Sequence, residues 1–183
     1  MLNYARPMPE HHMRHLLSRR DLVATLTIAA LAGSTSIANA KARGTVPMTA
    51  SEQANLTLVE NAFAKWADGT GGPYDLLAPN AVWTIVGHSD ASRTYSSRDA
   101  FMSEVIHPFN ARMSEGLKPS IRQITADGDK VIIFFDAAGV AKDGQPYKNT
   151  YAWFWEMRDG HVTRAHAFFD SITFNDLWRR VQP

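Results

Sequence analysis

Three Asp-Gly pairs, Asp127-Gly128, Asp143-Gly144 and Asp159-Gly160, cut the C-terminal part of the chain into four β-like runs: Ile121 to Thr125, Lys130 to Val140, Tyr147 to Met157 and Val162 to Phe169. An Asp-Gly pair between such runs is a hairpin signal, because tight turns impose backbone angles that glycine, and to a lesser degree aspartate, adopt readily. Four runs joined this way predict an antiparallel meander.

Upstream of Pro119 the periodicity is helical. Ser51 and Glu52 open a predicted amphipathic helix with Leu56, Val59, Phe63 and Trp66 at helical spacing, and the run Gly69 to Pro73 stops it. A glycine cluster that follows a helix and lacks a lysine reads as a stop signal, not as a phosphate-binding loop. Tyr74 to Leu77 reads as a short helical turn and Ala81 to Val86 as a strand. Ser97 caps a third helix over Arg98 to Met113, bent at Pro108, with Phe101, Val105, Ile106 and Phe109 on one side. Helices first and a meander last predict an α+β fold over residues 51–183, a cone-shaped curved antiparallel sheet wrapped around three N-terminal helices. Such a sheet encloses a pocket. Val131 to Phe135 are apolar on both faces of their strand, which predicts a homodimer formed through the outer face of the sheet.

The N-terminal segment reads differently. Ser18-Arg19-Arg20-Asp21-Leu22-Val23, an apolar run from Leu22 to Ala32 and the small-residue site Ala38-Asn39-Ala40 resemble a bacterial twin-arginine export signal over residues 1–40, cleaved after Ala40. Leu22 stands where such signals often carry an aromatic, so the general secretory route stays open, and Met13 is an alternative start. The apolar run is about half of the roughly 20 residues that span a bilayer, which argues against a permanent membrane anchor. Residues 41–50 form a linker. The expected location is periplasmic or secreted. The chain has no cysteine, so neither a disulfide nor a lipid-bearing thiol is available. Its net charge of +1 falls to −1 once residues 1–40 are removed, and no basic stripe is present, which disfavours nucleic acid. Four histidines remain in the domain, none at the spacing of a zinc motif, and there is no Gly-x-Ser-x-Gly elbow. No metal and no cofactor is expected.

Candidate chemistry gathers on the last two runs. Asp170 follows Phe168 and Phe169; across a hydrophobic sheet its pKa rises, as suits a general acid or base, whereas the alternative is a cap for a helix starting at Ser171 or Thr173. By strand alternation Arg164, His166, Phe168 and Asp170 share a face, and His166 with Asp170 and Asp136 makes a proton-transfer set; alternatively His166 only hydrogen-bonds at the pocket wall. Tyr147, Asn149, Tyr151, Trp153 and Trp155 alternate along one face and form an aromatic wall, of which Tyr151, Trp153 and Asn149 position a ligand; the alternative is a packed core. Trp66, Phe168 and His88, at a strand end after Gly87, complete the expected binding set. The expected ligand is a small hydrophobic molecule.

The order of elements, the Asp159-Gly160 turn and the terminal Phe168-Phe169-Asp170 together resemble the SnoaL-like branch of the nuclear transport factor two-like superfamily, which includes polyketide cyclases and is similar to ketosteroid isomerases and limonene epoxide hydrolases. The resemblance covers about residues 51 to 180. By motif it implies a catalytic acid or base at Asp170. The hydrolases' arginine and aspartate, two positions apart, align with Phe134 and Asp136, so their arginine is missing. The isomerases' base falls near Thr84, which cannot shuttle a proton, and their oxyanion donors fall at Trp66 or Phe63 and at Trp153. The expectation is therefore a hydrophobic-ligand module with cofactor-free acid/base catalysis, or a non-catalytic binding or scaffold module of the same fold.

Overall fold

A computed structural model of the protein describes residues 47–183; the expected export signal lies outside the described residues. Helix α1 spans Ala50–Asp68 and begins at a capping box. Thr49 Oγ1 accepts from the Glu52 N–H at 3.2 Å, and the Glu52 carboxylate accepts from the Thr49 N–H at 2.7 Å. Gly69, at φ 78°, closes it in the left-handed conformation. A 3-10 turn over Pro73–Leu76 leads into β1, Leu77–Ile85, followed by the short β2, Thr94–Tyr95.

The third predicted helix is present but composite: α2, Arg98–Phe101, a π-helical turn over Met102–Ile106, and α3, His107–Asn110. Pro108 lacks an N–H, and its ring crowds the carbonyl four residues back in α geometry. The wider turn relieves that clash. The helix ends at Asn110 instead of Met113, because Met113 already pairs with Ala141 in the sheet.

The meander follows as β3, Met113–Asp127, β4, Lys130–Ala141, β5, Pro146–Arg158, and β6, His161–Phe169. Strand β3 starts eight residues before the predicted run. It is an edge strand, where Pro119 removes no bond the sheet needs. Asp159 and Gly160, at φ 51° and 75°, form the turn between β5 and β6. The sheet order is β2-β1-β6-β5-β4-β3. Its β1–β6 pairing is parallel, a departure from the all-antiparallel expectation. The intervening helix and meander supply the long crossover that parallel neighbours require.

The inner face is dense with aromatics and faces the helices. Phe135 is fully buried, with its ring 4.9 Å from Phe63 of α1 and 4.7 Å from Trp153. Truncating a phenylalanine so enclosed costs about 3–5 kcal/mol. Large rings on β1 and β5 face small residues on β6: Trp83 and Trp155 both pair with Ala165, and Trp153 pairs with Ala167. The outer face leaves Ile132, Phe134, Phe154 and Phe168 between 36% and 43% exposed. Helix α4, Ser171–Arg180, closes the chain against α3. There the buried Arg112 donates to the carbonyls of Trp178 and Pro108 and lies 4.0 Å over the Trp178 ring.

Candidate ligand chamber

Between the inner face and the helices lies a void of about 50 Å³. Its walls are Trp66 of α1, Tyr74 of the 3-10 turn, Trp83 and Ile85 of β1, Phe101, Val105, Ile106 and Phe109 of the composite helix, Leu117 of β3, Tyr151 and Trp153 of β5, Ala167 and Phe169 of β6, and Phe174 of α4. Trp66, Tyr74, Leu117 and Phe169 are only partly covered and form its outer rim. The polar atoms offered by these walls are hydroxyls and indole N–H groups. Burial raises the pKa of Tyr74 and pushes that of Tyr151 well above the ordinary phenol value. The hydroxyls therefore keep their protons at neutral pH.

A hydrogen-bonded chain backs this wall. Asn149 Nδ2 donates to the Tyr147 hydroxyl at 3.0 Å, and the hydroxyls of Tyr147 and Tyr151 lie 3.2 Å apart. The alternating face read from β5 is the inner one, with Tyr147, Asn149, Tyr151, Trp153 and Trp155 all buried. Trp66, Tyr151 and Trp153 line the chamber; Asn149 does not, and instead holds Tyr147 and the backbone of Asp170.

The expected proton-transfer set is not in the chamber. Arg164, His166 and Phe168 do share a face, but it is the outer one: all three are exposed, while Ala165 and Ala167 point inward. Alternation gave the grouping and left its side undetermined, and the space taken by three tryptophans decides for the alanines. His166 lies in a hollow on the outer face with Lys130, Ile132, Phe154 and Glu156. Phe168 packs there on Phe154, with ring centroids 5.7 Å apart, so it is not a chamber residue. His88 is exposed in the loop after β1 and does not line the chamber either.

Asp170 is the N-cap of α4. Its carboxylate accepts from the Ile172 N–H at 2.9 Å and from the Thr173 hydroxyl at 2.7 Å. Those two bonds, the hydroxyl first, hold its pKa below the usual value, opposite to the rise expected from apolar surroundings. Asp136 is also lowered, by the Thr150 hydroxyl at 2.7 Å and by Arg122 Nε at 2.6 Å. Both carboxyls line one hollow on the outer side, with Lys118, Arg122, Lys148 and Thr150. Two of the three expected catalytic groups thus line one hollow outside the chamber, each with its carboxylate held by partners of its own. Arg122 is a residue that sequence reasoning missed. Arg122, on the neighbouring strand, lies 5.2 Å over the Phe134 ring. Tyr74 and Trp83 were missed as well, since neither belongs to a periodic polar pattern. Among the described residues, no group of three His, Asp or Glu is placed to hold a metal ion, and no helix is long and apolar enough to cross a membrane.

Comparison with known proteins places this geometry. Among solved structures, a nuclear transport factor two-like protein of unknown function from Burkholderia pseudomallei K96243 superimposes with a TM-score of 0.57 at 15% identity, covering 67% of this chain and 95% of its own. A putative SnoaL-like polyketide cyclase from Jannaschia sp. CCS1 gives 0.56 at 18% identity, covering 73% and 96%. TerC, co-crystallised with polyporic acid, gives 0.55 at 20% identity, covering 68% and 98%. No curated protein matches the chain in sequence. The profile described as the SnoaL-like domain matches residues 59–165, from the middle of α1 to the middle of β6. The chain therefore belongs to the SnoaL-like domain family and has the nuclear transport factor two-like fold.

Proposed function

We propose that this protein is an exported SnoaL-like module that binds a small, uncharged, largely apolar molecule in the inner chamber, without acid/base catalysis by Asp170, His166 or Asp136. The observation that carries this reading is the chamber wall: aromatic and aliphatic side chains with neutral hydroxyl and indole tips, and no carboxylate or imidazole among them. Such a lining favours apolar ligands and penalises charge. TerC's co-crystallisation with polyporic acid supports a small organic ligand for a chamber of this fold.

One observation favours a second reading, a non-catalytic scaffold. The void of about 50 Å³ is smaller than the ~150 Å³ cavity that admits benzene in an engineered core. A ring-sized ligand must therefore extend into the partly covered rim. Melting curves with neutral aromatics such as ethylbenzene separate the readings. Binding raises Tm with ligand concentration, by about 1.4 kcal/mol of added stability at ten times Kd. Ala167→Val, which adds two methyls on the chamber wall, abolishes that shift. A Tm indifferent to every such compound selects the scaffold.

We further propose export by the Ser18-Arg19-Arg20 signal and a homodimer through the outer sheet face. Replacing Arg19 and Arg20 by lysine blocks delivery to the periplasm on this reading; undiminished delivery rules out the twin-arginine route. For the dimer, strand register makes the apolar side chains contiguous: Ile132 pairs with Phe154, Phe134 with Ala152, and Ala152 with Phe168. The flanking Arg122–Asp136 and Arg164–Glu156 pairs neutralise much of the surrounding charge.

A further inference from the structure

The chamber's polar atoms are unequal. Trp83 Nε1 is sealed with no acceptor, as is that of Trp155 outside the chamber. The Tyr151 hydroxyl is committed to Tyr147, whose oxygen also accepts from Asn149. Like the indole N–H groups of Trp66 and Trp153, the Tyr74 hydroxyl has no hydrogen-bond partner among the described residues and is not one of the sealed atoms. Its ring is fixed by aromatic neighbours on several sides: Phe101 at 5.8 Å, Trp153 at 6.0 Å, Trp83 at 6.1 Å and Trp66 at 6.2 Å between centroids. A rigidly held donor in a greasy chamber selects for a ligand that brings an acceptor, because a ligand lacking one leaves the hydroxyl dry and unpaired.

Resting on the chamber reading above, we infer that Tyr74 is a specificity-determining residue of the chamber, its hydroxyl donating a hydrogen bond to the carbonyl oxygen of an otherwise apolar, uncharged ligand. The proton it offers stays in place at neutral pH, since burial disfavours the phenolate. The same cost of burying charge excludes carboxylates and other anions.

Acetophenone and α-methylstyrene test this directly, because they differ only in the carbonyl oxygen against a methylene carbon. Calorimetric titration of the intact protein is expected to give acetophenone about a tenfold advantage, the worth of one good hydrogen bond. Tyr74→Phe keeps the ring and removes that advantage, because acetophenone loses its donor while α-methylstyrene no longer leaves a hydroxyl unpaired and binds more tightly. As a measurement that needs no variant, the infrared carbonyl stretch of bound ¹³C-labelled acetophenone falls to lower frequency than in hexane. Equal binding of the two ligands by the unmodified protein, a preference that survives Tyr74→Phe, or an unshifted stretch overturns the inference while the chamber reading stands. Binding of neither ligand overturns both.

Discussion

The side-chain amide of Asn149 pairs in both directions with the backbone of Asp170: Nδ2 donates to the carbonyl at 2.9 Å, and Oδ1 accepts from the N–H at 3.0 Å. This pair extends the β5–β6 ladder one step beyond its last backbone match, Tyr151 with Phe169, and sets where β6 stops and α4 begins. The same Nδ2 reaches the Tyr147 hydroxyl, so one side chain ties the strand end to the polar backing of the chamber. Asn149→Ala removes all of these bonds and leaves a buried hydroxyl and backbone groups underpartnered. At about 1 kcal/mol for each net bond, a loss of roughly 2–3 kcal/mol is expected in urea unfolding. Hydrogen exchange at the Asp170 amide should accelerate by more than that of distant core amides. Unchanged protection at Asp170 would show that the amide pair does not hold the strand end.

Asp170 itself is assigned a capping role, and its substitutions follow from that. Asparagine caps a helix about as well as aspartate, so Asp170→Asn is expected to leave both stability and chamber binding nearly unchanged. Asp170→Ala costs about 1 kcal/mol. The folded-state pKa lies below the unfolded value, so this contribution is present above the unfolded pKa and is lost as pH falls through the folded one. Asp136, lowered by Thr150 and Arg122, acts in the same sense. Stability should therefore decline from about pH 4 downward, and less so in the Asp170→Ala variant. Turnover of any substrate that disappears in Asp170→Asn while binding persists would restore the catalytic reading.

The meander was legible because its information is local: Asp-Gly turns and strand alternation are short-range signals, and the structure follows them within a residue or so at β4, β5 and β6. The start of β3 was not, because an edge strand tolerates Pro119 and Gly116, and residues 113–120 carry no alternation to read. The aromatic wall of β5 was visible for the same reason that the misplacement of His166 was not. Alternation says which residues share a face; which face turns inward depends on what other elements bring. Here Trp83, Trp153 and Trp155 already fill the interior, so β6 contributes Ala165 and Ala167 and turns His166 out. The Asp136–Arg122 pair is a cross-strand relation fixed by a register irregularity between Ile121 and Gln123, which no single-strand pattern encodes.

The outer face carries the most exacting prediction about assembly. Phe154 and Phe168, on adjacent strands and 42% and 43% exposed, lie at the centre of the apolar patch that includes Ile132 and Phe134. Isolated exposed apolar residues are ordinary, but four made contiguous by strand register are a surface that water disfavours. Replacing Phe154 and Phe168 together by aspartate places two like charges at the middle of a two-fold interface, each near its symmetry mate. Anchors at such a position are worth at least 2 kcal/mol when they are aromatic and central, so dimer dissociation should strengthen by roughly a hundredfold or more. Sedimentation equilibrium is expected to show a dimer for the unmodified domain and a monomer for the double variant. Both should have the same near-ultraviolet circular dichroism, because neither side chain enters the core. A monomer for the unmodified domain at high micromolar concentration would remove the second copy as the cover of this face. An intact dimer in the double variant would move the interface to another surface.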